Sequence, residues 1–306
     1  MAVFNVVAEA DNVCASWGSD GYTELYTTGD IYAGAYEVTG SWQVYELALR
    51  FTDVTIPGGS VITNAYFTIK THDPVGTPDM DIQAFDEDNS AQVSSFADFQ
   101  GRSRTTANIN WTQVLSADTV YDSPEIKTVM QEIVDRVGWT SGNALQLVMS
   151  DHDTKYSNAP PVGTNQQGRF YRDSVYGITL TVTYISLPTV STGASTLIDV
   201  TTATLNGEIT NTGGENNDQR GFDYGLTISY GLSATDSGSY GTGAFSKLVE
   251  SLNSNALYHF RAKSHNQAGW GYGSDTMFNT LPSIEEKKKM SRLVYDEMME
   301  YMMEDY

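Results

Sequence analysis

Asp86-Glu87-Asp88-Asn89 puts four oxygen-bearing side chains on one stretch, directly after an alternating run that ends at Phe85. Hard cations gather roughly six to eight oxygens, mostly from carboxylates and carbonyls. This stretch is therefore the candidate calcium site, with Asp79-Met80-Asp81 and Asp151-His152-Asp153 as further donors. The competing reading is a solvated acidic turn, and no EF-hand spacing is present. A second chemistry is sugar contact. Trp17, Tyr22, Tyr26, Tyr32, Tyr36 and Trp42 cluster in Gly- and Thr-rich sequence. An exposed platform there would make Trp17 and Trp42 the glycan contacts, whereas in a sandwich such residues more often belong to the core.

Catalytic chemistry has little to build on. His72, His152, His259 and His265 read as structural or surface histidines. No nucleophile elbow, P-loop, dinucleotide fingerprint or paired-histidine zinc motif occurs. With 38 Asp and Glu, close carboxylate pairs arise by chance. Nothing singles out the raised-pKa partner that a glycosidase needs. Cys14 is the one cysteine and reads as a small buried hydrophobe. The expectation is a protein that is not an enzyme.

Composition narrows the partners. The 306 residues hold 17 Lys and Arg, for a net charge of −21. No basic surface can be assembled to neutralise phosphates, so no nucleic-acid partner is expected. No run of about 20 apolar residues exists, so no membrane-spanning helix is expected. Forty per cent apolar content with 11% aromatic is enough to bury a core. Met1-Ala2-Val3-Phe4-Asn5-Val6-Val7 has neither a basic region nor a long apolar one. That start reads as no signal peptide, and hence as synthesis and assembly in a cytoplasm.

The elements that must position these residues read as all-β. Residues 1–185 carry short alternating runs between Gly, Asp, Asn and Pro clusters, the spacing of a β-sandwich. Leu47–Phe51, Ala65–Lys70, Asp81–Phe85, Ala144–Met149 and Tyr176–Tyr184 are its expected strands, with a turn at 56–60. One inserted helix is expected. Ser123 would cap it, Pro124 would open it, Ile126, Val129, Met130, Ile133, Val134 and Val137 would line it, and Gly138 would end it. Trp139 would then pack back on the sandwich. Residues 186–188 read as a linker, and 189–281 as an immunoglobulin-like sandwich in which Leu252 and Tyr258 suit a tyrosine corner.

Residues 283–306 break the β pattern. Ser283 and Glu286 form a capping box, and Glu285 with Lys289 would make an i,i+4 pair. Met290, Leu293, Val294, Met298, Tyr301 and Met302 line one side, widened by Tyr295, Met299 and Met303. Such a helix is marginal alone in water. It should bury that side on its own sandwich, on sister copies or on another protein. Leu293, Val294, Met298, Tyr301 and Met302 are the expected contact residues.

Two strings of motifs carry family resemblances. Leu49-Arg50-Phe51, Val54-Thr55-Ile56-Pro57-Gly58-Gly59-Ser60, Asp86–Asn89, Ser103-Arg104, Trp111, Ser123–Ile126, Gln131–Val134 and Gly138–Leu145 run through residues 40–185. This stretch resembles the DNRLRE-like jelly rolls of carbohydrate-binding-module type. Thr201–Gly207, Arg220–Gly225, Tyr258–Ala262 and Asn266–Gly273 resemble a fibronectin type III-like repeat. The first resemblance implies a jelly-roll sandwich that can hold a structural calcium. Together they imply adhesion, display or spacing, and the combination resembles environmental bacteriophage structural proteins. The resulting expectation is a virion component, a head decoration or part of a tail or fibre. Its partners would be other virion proteins or copies of itself, with acidic charge keeping particles dispersed. The alternatives are a glycan-binding adhesion module, with a cell-surface glycan as partner, and an extracellular filament subunit.

Overall fold

The computed structural model describes residues 1–8, 13–18, 23–38, 41–151, 166–171 and 177–304. The chain divides into two compact units, Met1–Ser186 and Leu187–Tyr306. The first unit holds strands β1 (Ala2–Val7), β2 (Val13–Gly18), β3 (Thr23–Tyr26), β4 (Ile31–Val38), β5 (Ser41–Val54), β6 (Val61–Val75) and β7 (Asp79–Ala84). After these come helix α1 (Phe96–Gly101), β8 (Ile109–Thr112), β9 (Val120–Asp122), helix α2 (Lys127–Val134), β10 (Asn143–Asp151), β11 (Gln166–Phe170) and β12 (Thr179–Ile185).

Two long strands organise this unit. The 15-residue β6 pairs with β12 through its first half and with β11 through its second. The 14-residue β5 pairs with β4 through its start and with β10 beyond Leu47, with β2 on its other edge. All these pairings are antiparallel, and the strand order is β1-β12-β6-β11-β4-β5-β10-β7-β8. Alternation sends Leu47, Leu49 and Phe51 of β5, and Leu145, Leu147 and Met149 of β10, into the main core. The residues between them are buried too: Ala48 and Val148 join a second cluster with Phe85, Val93 and Phe99. A strand covered on both faces has no exposed face to keep polar, which is why 144–149 is apolar apart from Gln146, itself buried with its Oε1 accepting from Ser90 Oγ and Arg102.

The second face is covered by α1, a helix that the sequence reading lacks. Ser95 caps it, its Oγ accepting from the Asp98 backbone N–H at 3.1 Å, and Phe99 is its buried residue. The anticipated helix is α2, shorter than expected. Ser123 does not cap it. Instead Ser123 continues the β9–β6 pairing: its N–H donates to the Phe67 carbonyl, and its Oγ accepts from the Phe67 N–H at 3.1 Å. The helix opens at Lys127 without a side-chain cap, and Val137 and Gly138 lie beyond its end, with Val137 fully exposed. Val129, Met130, Ile133 and Val134 are buried as the spacing requires.

Trp139 packs back on the unit, its Nε1–H donating to the Ile56 carbonyl at 3.0 Å. The turn beneath it places Gly59 at φ +70, which the third position of a type II turn demands, and Ser60 N–H closes it onto Pro57. A side chain on Gly58 would press on the Trp139 carbonyl.

The second unit holds β13 (Thr189–Thr196), β14 (Ala203–Asn211), β15 (Asn217–Gly225), β16 (Leu232–Tyr240), β17 (Gly243–Val249), β18 (Leu257–Asn266), β19 (Gly269–Tyr272), β20 (Thr276–Asn279) and helix α3 (Ile284–Glu304). One sheet runs β13-β14-β17 and the other β16-β15-β18-β19, with β20 on β18. The fourth strand pairs with the third instead of returning to the first sheet. That is a fibronectin type III-like sandwich, here with a three-stranded and a five-stranded sheet because β19 and β20 share the edge of β18. Its core is Leu205, Ile209, Phe222, Phe245, Tyr258, Phe260 and Phe278 with their neighbours. The tyrosine corner is formed: Leu252 is buried, and Tyr258 Oη accepts from the Asn253 N–H at 3.0 Å. The whole chain is thus an all-β protein with a C-terminal helix.

Trp139→Ala should cost about 3–5 kcal/mol in the denaturant unfolding of the first unit, from the lost ring and the cavity left. Tyr258→Phe should cost the second unit about 1 kcal/mol, the net worth of one hydrogen bond. Equal unfolding of the variants and the wild type would contradict both assignments.

Candidate functional site

In the acidic loop, arginine partners the carboxylates. Arg136, just past α2, donates from Nε to Asp88 Oδ1 at 2.7 Å and pairs through Nη1 with Asp86. These bonds, Asp88 first, push the Arg136 guanidinium above its ordinary value. Asp88 lies over Gly138 so closely that any side chain there would displace it. Glu87 Oε2 accepts from Ser90 Oγ at 2.7 Å and lies 3.4 Å from Arg102. Asn89 Oδ1 accepts from the Ala144 N–H at 2.9 Å. Each of the four proposed calcium ligands therefore already has a partner in the chain. Among the described residues no three His, Cys, Asp or Glu side chains come together as a metal cage. Asp79 accepts from Asn110 and Thr112 at the β7–β8 edge, while His152 and Asp153 lie outside the described residues.

Arg102 is the centre of the neighbouring network. It donates to both Asp98 oxygens, to the Ala91 and Gln92 carbonyls and to Gln146 Oε1. The Arg102 bonds hold the Asp98 carboxyl well below the usual carboxylate range. This cluster seats α1 and the 86–92 segment on β10, which is structural work.

The aromatic cluster packs inward. Tyr26, Tyr32, Tyr36 and Trp42 are half-buried against the main core. Tyr32 and Tyr45 rings lie 5.3 Å apart, and Tyr26 and Tyr45 lie 6.4 Å apart. Burial, then a bond to Glu24, pushes the Tyr26 phenol up to about 12. Trp17 pairs through its backbone with Thr23 and Val44, its side chain lies outside the described side chains, and Tyr22 lies outside the described residues.

On the second unit, Arg261 and Lys263 of β18 alternate onto one sheet face among rings that sequence reading missed. Arg261 lies over Tyr272 and Tyr230, at 3.8 and 4.8 Å, and Lys263 over Trp270 at 4.6 Å. Asp223 neutralises both cations, at 3.2 Å from Arg261 and 2.5 Å from Lys263. The period-2 placement of Arg261, Lys263 and His265 was the available signal. His259 and His265 pair with Asp275 and Asp218 at 2.8 and 2.7 Å, and neither reaches the other's ring. The ladder is internally satisfied and braces the sheet.

What remains unsatisfied is α3. The capping box forms as read: Ser283 N–H donates to Glu286 Oε2 at 2.6 Å, and Glu286 N–H donates to Ser283 Oγ at 3.2 Å. Those bonds, with one from Ser254, hold the Glu286 carboxyl below its ordinary value. Glu285 pairs with Lys288 at 2.9 Å instead of Lys289, since i,i+3 also places neighbours on one helix face. From residue 287 to residue 301 every position is exposed. Leu293 is 55%, Val294 61%, Met298 57% and Tyr301 73% exposed, with Met290 and Tyr295 similar. The Met302 side chain lies outside the described side chains. No helix is long and apolar enough to cross a membrane among the described residues.

No family model matches the chain, and no curated protein matches it. Among solved structures, it aligns with the sensor domain of the anti-sigma factor RsgI4 of Pseudobacteroides cellulosolvens at 17% identity and TM-score 0.27, over 32% of this chain and 98% of that one. Domains FN1–FN3 of chicken CNTN1 align at 12% identity and TM-score 0.26, over 92% and 98%. Domains A168–A170 of titin align at 12% and 0.26, over 92% and 94%. Superpositions this loose carry nothing about function.

Arg102→Ala should destabilise the first unit by about 3 kcal/mol, because Asp98 and Gln146 lose their half-buried partner. Asp98 has a depressed folded-state pKa, so its contribution is complete above the ordinary carboxylate pKa and is lost as pH falls through the folded value. Acid titration of Asp98→Asn should show a shallower stability loss below about pH 4 than wild type. Parallel curves would refute the assignment.

Proposed function

We propose that this chain is a non-enzymatic structural protein that works by protein–protein assembly. Its two sandwiches are the displayed body, and α3 is the segment that buries against neighbouring proteins. The observation that carries the reading is the exposed apolar side of α3, where Met290, Leu293, Val294, Met298 and Tyr301 all stand in solvent. At about 25 cal/mol per Å² of apolar surface, a neighbour that covers these residues gains several kcal/mol. The capping box specifies the helix independently of any core, so the side is presented on an element built to start there.

The setting we propose is a bacteriophage particle, as a head decoration or a part of a tail or fibre. It rests on the resemblance of the strings in 40–185 and 201–273 to modules found in such proteins. The net charge of −21 suits it, since like-charged particles stay dispersed.

Deletion of residues 283–306 should leave both sandwiches folded by circular dichroism and thermal melting, and should abolish incorporation into particles in a complementation assay. Unchanged incorporation would overturn the anchoring role. The folded sandwiches in that variant keep a misfolding explanation separate.

A further inference from the structure

We propose that the occupant of the exposed side of α3 is the same helix of a second copy, running antiparallel about a two-fold axis beside Asp296. This rests on the reading of α3 as an assembly element and names its partner. Counting outward from Asp296, Val294 and Met298 stand at the same distance, as do Leu293 and Met299, and Met290 and Met302. Three apolar pairs therefore mirror one another about Asp296, while Tyr295, Tyr301 and Met303 stand opposite Glu297, Ser291 and Lys289. Met290, Val294 and Met298 recur every four residues, so they lie along one slowly drifting stripe. When two copies run in opposite directions about Asp296, Val294 stands level with Met298 and Met290 with Met302.

Charge follows the same centre with opposite sign. Beyond the first-turn acids Glu285 and Glu286, Lys287, Lys288, Lys289 and Arg292 fill 287–292, and Asp296, Glu297, Glu300 and Glu304 fill 296–304. Arg292 mirrors Glu300, and Lys288 mirrors Glu304. A parallel pair would set basic beside basic and acidic beside acidic. An antiparallel pair sets each basic half along an acidic half, well within a screening length of about 8–10 Å at physiological salt. It also answers a defect of the lone helix: the last turn carries no basic residue, so acidic groups stand at the negative end of the dipole. In the pair, that end lies beside the partner's lysines. The interface is isologous, so it closes at two copies and does not propagate as an open filament.

The test uses the full-length chain and sedimentation equilibrium. Wild type should be a reversible dimer. Lys287→Glu/Lys288→Glu/Lys289→Glu turns the basic segment acidic apart from Arg292, and Glu297→Lys/Glu300→Lys/Glu304→Lys turns the acidic segment basic apart from Asp296. Each variant alone should raise the dimer dissociation constant about tenfold or more. An equimolar mixture should recover the wild-type value. All these positions are solvent-exposed or at the helix end, so the sandwiches serve as a folding control by thermal melting. A mixture that pairs much more tightly than wild type would mean parallel helices and overturn the proposal. So would a monomeric wild type, which leaves anchoring to a different protein to be judged by the incorporation assay. A dimer that survives deletion of residues 283–306 would overturn self-pairing through α3.

Discussion

Water against the apolar side of α3 is the unfavourable contact on which the functional reading turns. Elsewhere the chain disposes of its apolar surface internally: the first unit buries β5 and β10 on both faces, and the second closes two sheets over Phe222, Phe245 and Phe260. The helix is different in kind. Its start is specified by a reciprocal Ser283–Glu286 cap and its apolar residues are kept on one side, yet its own unit covers none of 287–301. A helix with a wide apolar stripe gains most of its stability from a packed partner, because propensity alone leaves it marginal.

Polar chemistry on the sandwiches is turned inward to structure. Three cation-centred clusters do comparable work: Arg136 ties the 86–88 loop to the end of α2, Arg102 seats α1, and Arg261 with Lys263 braces the outer sheet of the second unit through rings and Asp223. With 17 cations against 38 acids, bases are the scarce partner. Their use inside these clusters leaves much of the remaining surface acidic.

Elements whose signal is local were legible in the sequence. The capping box, the tyrosine corner, the turn at 57–60 and the double-faced strand at 144–149 each depend on residues a few positions apart, and each forms as read. Elements decided by distant partners were not. Ser123-Pro124 carries every local mark of a helix start, but Phe67 on β6 competes for Ser123 and wins, because a sheet hydrogen bond to a buried strand satisfies two backbone groups at once. The ion pairs of the acidic loop were not legible, because Arg136, about fifty positions away, cannot be placed on Asp86 and Asp88 from spacing alone. The inward turn of Trp42 and its tyrosines is likewise set by the far strands they cover.

The pairing of β1 with β12 bears on how the first unit responds to force. Ala2 lies opposite Tyr184 and Val7 opposite Thr179, so the segment that enters the unit and the one that leaves it start from the same end of one ladder. Tension between those two points would load the hydrogen bonds one at a time, as a zipper is opened, instead of shearing the whole row together. A sandwich so connected peels at low load when it sits in line in a stretched tether. It endures when it hangs from its exit strand alone, as a terminal pendant does.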